Sequence, residues 1–279
     1  MNMKYRCYIF FICILTLLFS ACSTVPYTER KQLILIPEGQ ETSLGQQAFT
    51  QVVQENKISN DPKYNEMLQS VGKRISQAAN RPDYQWEFVV IDDPNTVNAF
   101  ALPGGKVAFY TGIMPICQNE EGIAVVMGHE VSHALARHGA ERMSQGMLAQ
   151  LGEQGLSMAV SGQSSMMQGI ISKAYGYGVQ YGALLPYSRL QESEADHLGI
   201  ILMSQAGYDP KAAVSFWQRM SEQAKGKKPM EFLSTHPSDE KRIQQIEQWL
   251  PEAYKYYNKQ SKEGTSKGLK KGKNLSYPQ

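Results

Sequence analysis

Glu121 to Gly139 reads EGIAVVMGHEVSHALARHG, and the fold follows from how this stretch is read. Ile123, Val126, Met127, Val131, Ala134 and Leu135 recur at helical intervals with no proline among them, which predicts one buried helix. Residues four apart on a helix share a face. His129 and His133 therefore aim two imidazoles at one point, with Glu130 one step round the axis. This is the H-E-x-x-H pattern. A catalytic Zn²⁺ takes three protein ligands and leaves a fourth position to water, whose pKa it lowers to about 7. Glu130 is placed to take that water's proton as general base. The ordinary alternative is a pair of histidines satisfied in a helix–helix interface.

Two histidines need a third ligand. The stretch SRLQESEADHLGIILMSQA, residues 188–206, predicts a second helix that ends near Gly207. Glu192 and Asp196 lie four apart and share a face, whereas Glu194 points elsewhere. Glu192 is assigned as the ligand, with Glu194 the alternative. Asp196 is assigned as the carboxylate that orients a ligand imidazole through its other nitrogen. Further on, Pro237 suits the first turn of a last helix and leaves His236 in the loop before it. A loop histidine outside any apolar face is a candidate transition-state donor or a transient fourth zinc ligand. His138 and His197 are assigned to the surface or to a layer behind the ligands.

The rest of the chain supplies a body for these helices. Helical patterns cover 38–56 and 62–79, the second with Met67, Leu68, Val71 and Ile75 as its apolar stripe. Residues 84–92 read as a strand, and Gln32–Ile36 either adds a strand or lies along the body. The stretch NAFALPGGKVAFYTG, Asn98 to Gly112, reads as a hairpin turning at Gly104-Gly105. Such a hairpin either offers an edge to an extended peptide or only shields the core. Residues 140–187, rich in Gly, Ser, Gln and Met, suit two helices packed through small residues, or a flap over a site. A helix follows from about Asp209-Pro210 to Ala224. The expected fold is α+β and predominantly helical, of the zincin type, with a small β-sheet beside the H-E-x-x-H helix.

Residues 1–21 have a short basic start (Lys4, Arg6), an apolar run from Tyr8 to Phe19 and small residues at Ser20 and Ala21 before Cys22. The run is short for a membrane span and suits a secretion leader. Small residues followed by cysteine resemble the lipobox of bacterial lipoproteins, with Phe19 where that motif usually has Leu. The expected division is a leader at 1–21, a lipid anchor at Cys22, a catalytic body at 22–251 and a Lys-rich solvated tail at 252–279. Ser23 after the cysteine suggests, by resemblance to lipoprotein sorting, the outer membrane. With Cys7 and Cys13 in the leader and Cys22 lipidated, Cys117 alone remains, so no intrachain disulfide is expected. Removal of Lys4 and Arg6 balances basic and acidic residues. No nucleic-acid partner is expected.

Three motifs in order, His129-Glu-Val-Ser-His133, Ser188-Arg-Leu-Gln-Glu192-Ser-Glu-Ala-Asp196 and Ser234-Thr-His-Pro237 followed by Arg242, closely resemble the HtpX-like and CAAX-prenyl-endopeptidase group of gluzincins. The nearest resemblance is to its soluble bacterial lipoprotein branch, and Asn98-Ala-Phe-Ala-Leu-Pro-Gly-Gly105 fits as well. The resemblance implies one Zn²⁺ per chain held by His129, His133 and Glu192, with Glu130 catalytic. It also implies that Asn98 lies near substrate and that His236 and Arg242 complete the cleft. The chain lacks the hydrophobic spans of integral-membrane relatives and has no room after Leu250 for the helical repeats of some periplasmic ones.

The expected activity is zinc-dependent endopeptidase action in the bacterial cell envelope, on misfolded or stalled envelope proteins. Two rivals remain: a chaperone-like lipoprotein that keeps zinc for stability without cleaving, and a latent peptidase whose open coordination position is filled by His236.

Overall fold

The computed structural model describes residues 22–25, 28–158, 188–224, 231–236 and 240–257. The N-terminal arm folds on itself: β1 (Cys22–Thr24) runs antiparallel to β2 (Lys31–Leu33), with Ser23 opposite Gln32. The strand read near Gln32 therefore pairs inside the arm and adds nothing to the main sheet.

Helices α1 (Glu38–Glu55) and α2 (Pro62–Ala79) follow. Asp61 starts α2 by accepting the backbone N–H of Lys63 at 2.9 Å and of Tyr64 at 3.4 Å, with Pro62 at the first helical position. Asn80, at φ 49°, ends it in the left-handed region. Three strands make the main sheet: β3 (Glu87–Ile91), β4 (Ala99–Leu102) and β5 (Lys106–Tyr110), in the order β3-β5-β4. Central β5 runs parallel to β3 and antiparallel to β4, so Ala108 faces Val89 on one side and Phe100 on the other. The β4–β5 turn needs Gly104 and Gly105, at φ 87° and 85°. β3 is shorter than the 84–92 reading, because Tyr84 and Trp86 leave the ladder to pack as rings. Trp86 stacks on Phe88 with centroids 6.1 Å apart.

A short helix α3 (Met114–Cys117) leads into α4 (Glu120–Leu135). The Asn119 side chain accepts the N–H of Gly122 at 3.0 Å, and Glu120 and Glu121 sit at the positive end of the helix. From Gly122 to Ala134 every residue of α4 is buried, the signature of a central helix packed all round. The helix stops at Leu135 and does not reach Gly139. Arg137 adopts φ 56°, with its guanidinium held 2.7 Å from Glu41 and 2.8 Å from the carbonyl of Ile36. The chain turns there, and α5 (His138–Met158) sets off in a new direction. Of the 140–187 reading, only the part up to Met158 lies within the described residues.

Helix α6 (Arg189–Gln205) opens on a capping box in which Ser188 and Gln191 satisfy each other's backbone N–H groups. α7 (Ala212–Ala224), α8 (Glu231–Thr235) and α9 (Glu240–Ala253) complete the described fold. Pro237, read as the start of the last helix, lies outside the described residues. One core joins Leu68, Val71 and Ile75 of α2, Val107 and Phe109 of β5, Ile123 and Met127 of α4, Met203 of α6 and Trp217 of α7. The result is the α+β, mainly helical fold read from the sequence, with the small sheet against the central helix. Among the described residues no helix is long and apolar enough to cross a membrane.

Helices α4 and α6 cross at two glycines. A Cβ on Gly128 would sit 2.8 Å from the carbonyl oxygen of Gly199, and one on Gly199 would sit 2.9 Å from the backbone nitrogen of His129. Both obstacles are backbone, so neither can swing aside. Gly199→Ala should cost about 1–3 kcal/mol through overpacking. Because it forces the two helices apart, it should lower both the melting temperature and the zinc retained after dialysis. An unchanged melting curve with full zinc content would refute this account of the crossing.

Candidate metal centre and active site

The α4–α6 crossing brings together side chains that are distant in sequence. His129 and His133 face α6 from α4, and their Nε2 atoms lie 3.1 Å apart. Glu192 enters from the first turn of α6, with Oε1 3.4 Å from His133 Nε2 and Oε2 3.6 Å from His129 Nε2. His236, just past α8, points Nδ1 at Glu192 Oε1 (2.8 Å) and at His129 Nε2 (3.1 Å). All four residues are buried, and one ligand atom from each lies within 4.8 Å of the others.

His236 does not stand on an open loop as its sequence context suggests. It is 3% exposed and tilts against Phe232 at 4.7 Å, because α8 carries it inward. Glu130 lies beyond it, with Oε1 3.4 Å from His236 Nε2.

The cluster fits a metal ion on its own chemistry. Glu130 Oε1 and Glu192 Oε2 are buried and accept no hydrogen bond; Glu192 Oε2 has the Arg242 guanidinium as an ion-pair partner, while for Glu130 Oε1 the condition is costly unless a reactant is meant to meet it. Two imidazole Nε2 atoms pointed at each other at 3.1 Å are also explained by a shared cation between their lone pairs. Two or three imidazoles with one carboxylate are a donor set that suits zinc.

Electrostatics prepares the groups. Burial pushes the His133 imidazole well below its ordinary range, so it is neutral, the state in which imidazole binds metal. Burial pushes Glu192 up, but His236, His133 and His129 overcome it and hold the carboxyl low and ionised. Burial raises the proton affinity of Glu130, with His236 and His129 opposing. For His236, burial lowers the pKa, yet Glu130 and Glu192 bring it above the usual value.

Behind the cluster, Asp196 Oδ1 lies 2.9 Å from His129 Nδ1, the ring nitrogen turned away from the other three residues. Since a carboxylate only accepts, His129 carries its proton there and leaves Nε2 bare. Arg242 holds Asp196 with two bonds, Nε at 2.6 Å and Nη2 at 2.8 Å, and reaches Glu192 Oε2 at 3.2 Å. Its guanidinium lies 3.4 Å over the Trp217 ring. Asn98 is buried at the start of β4; its carbonyl accepts the N–H of Ala99, and its amide donates to Glu231 at 3.2 Å. Asn98 thus ties the sheet to the short helix that delivers His236.

Two residues that the sequence reading left outside the ligand set, Glu194 and His138, form an outer layer behind it. Glu194, the alternative ligand, turns away from the cluster and takes Arg30 Nε at 2.6 Å and the Thr28 hydroxyl at 2.5 Å. His138 is fully buried against His133, Nδ1 to Nδ1 at 2.9 Å. It stands five residues after His133, a spacing that places two side chains on different faces of an unbroken helix. Only the break at Arg137 brings them together. His197, by contrast, stacks on Trp249 and bonds Glu252 at 2.8 Å, on the outer side of α6.

Two imidazoles from H-E-x-x-H and a carboxylate from a second helix are the arrangement of a zincin-type metallopeptidase. Residues 62–250 match peptidase family M48, and the chain belongs to that family. With its four-residue cluster it is a zinc metalloendopeptidase. The chain is 39% identical over 242 residues to the mitochondrial metalloendopeptidase OMA1 of Schizosaccharomyces pombe, covering 84% of this chain and 68% of that protein. It is 31% identical over 215 residues to the beta-barrel assembly-enhancing protease of Escherichia coli, covering 74% of this chain but 42% of the relative. With human metalloendopeptidase OMA1 it shares 30% identity over 253 residues, or 85% and 47% of the two chains.

Asp196→Asn should weaken zinc binding about 10–100-fold, as the loss of an orienting carboxylate does. By leaving Arg242 buried without its full partner, it should also cost about 3–5 kcal/mol of stability. Elemental analysis of the dialysed variant and a thermal melt check both, and wild-type zinc content would remove Asp196 from the site.

Proposed function

We propose that this protein is an endopeptidase of the bacterial cell envelope that cleaves misfolded or stalled envelope proteins. The observation that carries the peptidase reading is the convergence of His129, His133 and Glu192, with Glu130 beside them as a buried carboxylate that accepts no hydrogen bond. His129, His133 and Glu192 would hold the zinc, with Asp196 and Arg242 orienting them. Bound zinc supplies Lewis acidity and lowers the pKa of a water to about 7.

Glu130 takes the proton of that water at Oε1 and passes it to the leaving amine; its raised proton affinity suits both transfers. His236 donates from Nε2 to the developing oxyanion, a role typically worth about 2.7–4 kcal/mol. Asn98, at the head of β4, lies on the substrate side. β4 is an edge strand of its sheet and pairs an extended substrate backbone.

The address rests on the N-terminus: a basic start, an apolar run and small residues before Cys22, which carries lipid and ties the protein to the outer membrane. On this reading the leader is 1–21, the peptidase body 22–251 and the Lys-rich tail 252–279, and the chain falls in the soluble lipoprotein branch of its family. The name of the Escherichia coli relative, a beta-barrel assembly-enhancing protease, supports an envelope role. Nucleic acid has no part in it.

Glu130→Gln should keep zinc and lose cleavage of an unfolded protein such as casein, followed by gel with and without a chelator. Full cleavage by that variant would remove Glu130 from the mechanism and favour the non-cleaving, chaperone-like alternative.

One observation favours a second reading, a latent peptidase: His236 Nδ1 sits 3.1 Å from His129 Nε2, where it completes a set of four donors. A structural zinc site is closed by four protein ligands, whereas a catalytic one keeps a position open. His236→Ala discriminates: casein cleavage falls if His236 is the oxyanion donor and rises above wild type if it closes the site.

A further inference from the structure

The N-terminal arm, residues 22–36, precedes the region matched by the family, yet it reaches the back of the metal centre. Val25 is buried with Ala136 and Leu198, at the junction of α4, α5 and α6. Gln32 donates to the carbonyl of Ala136 at 2.8 Å, and the backbone N–H of Leu35 donates to Ser144 Oγ at 2.9 Å. Between these anchors Arg30 spans two carboxylates. It donates to Glu141 of α5 from Nη1 at 2.7 Å and Nη2 at 2.8 Å, and to Glu194 of α6 from Nε at 2.6 Å. Thr28 holds the other oxygen of Glu194 at 2.5 Å, and Gln191 donates to Glu141 at 2.7 Å. Arg30 therefore fixes α5 to α6 immediately outside the site.

The contacts then run inward in a fixed order. Glu194 Oε2 faces His138 Nε2 at 3.3 Å, and His138 Nδ1 faces His133 Nδ1 at 2.9 Å. A carboxylate bonded to a guanidinium only accepts, so the proton of the neutral His138 ring sits on Nε2. Its Nδ1 is then bare and takes the Nδ1–H of His133. His133 in turn presents an unprotonated Nε2 toward His129 and Glu192, the tautomer that a ligand at this position needs. The arrangement parallels Arg242–Asp196–His129 on the other side of the cluster, with an imidazole interposed between carboxylate and ligand.

We propose that Arg30, Glu194 and His138 form a positioning chain that sets the tautomer and orientation of His133, so that zinc affinity depends on the seating of the N-terminal arm. The inference rests on His133 being a zinc ligand. Three links in series, each with a defined donor and acceptor, leave His133 one productive tautomer. A break at any link lets the ring rotate or place its proton on Nε2, where it blocks the metal. The arm begins at Cys22, so the segment that carries the proposed anchor also completes the site.

The test is zinc affinity of the full-length protein by competition with a chromophoric chelator, together with the visible spectrum of the cobalt-loaded protein. His138→Leu should weaken zinc about 10–100-fold, the usual cost of losing such a partner, and shift the cobalt bands. His138→Asn should recover most of both, because its side-chain carbonyl stands where Nδ1 stood and accepts the same His133 proton. Arg30→Met, outside the core, should weaken zinc in the same direction by a smaller factor and provides the reading if His138→Leu does not fold. Affinity within twofold of wild type and an unchanged cobalt spectrum in His138→Leu, or in Arg30→Met where that is the folded variant, overturns the proposal. Failure of the wild type to bind zinc, or undiminished binding by His133→Ala, instead overturns the underlying assignment of the ligands.

Discussion

The contact on which the rest depends is the crossing of α4 and α6 at Gly128 and Gly199, where the two backbones touch with no side chain between them. Helices separated by ordinary side chains pack about 8–10 Å apart. Short ligands such as histidine and glutamate, reaching from both helices to one ion, need a closer approach. His129 follows Gly128 directly, and Asp196 lies one turn before Gly199. The glycines thus set the gap across which His129, His133 and Glu192 meet.

Closing that gap buries an unusual density of charge: Glu130, Glu192, Glu194, Asp196 and Arg242 are all less than a tenth exposed. Burial of this kind is weak support for stability on its own, since desolvation offsets most of the attraction. The protein answers with geometry. Arg242 meets Asp196 through two bonds and lies flat on Trp217, and Arg30 meets Glu141 through two more. At the centre two carboxylate oxygens, Glu130 Oε1 and Glu192 Oε2, accept no hydrogen bond.

That shell draws on more of the chain than the matched family region. The arm before residue 62 supplies Arg30, Thr28 and Gln32, while α1 supplies Glu41 to hold the left-handed Arg137. The turn at Arg137 does two jobs: it ends α4 and swings His138 back beneath His133. A peptidase centre built on two helices is thus braced from behind by elements lying well before them in sequence.

The sequence by itself determined the helices and their chemistry. The 3.6-residue period marked α2, α4 and α6, the glycine pair placed the β4–β5 turn, and the spacing of four put His129 with His133 and Glu192 with Asp196. These are local facts, because a helix or a hairpin repeats a geometry that neighbouring residues already encode. Tertiary structure decided which faces meet. The end of α4 at Leu135 depends on Glu41 and Ile36, 96 and 101 residues away, gripping Arg137. The burial of His236 depends on α8, whose Phe232 packs into the core and bonds the carbonyl of Val97. The place of His138 behind His133 required the chain to turn between them. Each of these outcomes is fixed by long-range contacts, and periodicity carries no record of a partner that lies elsewhere in the chain.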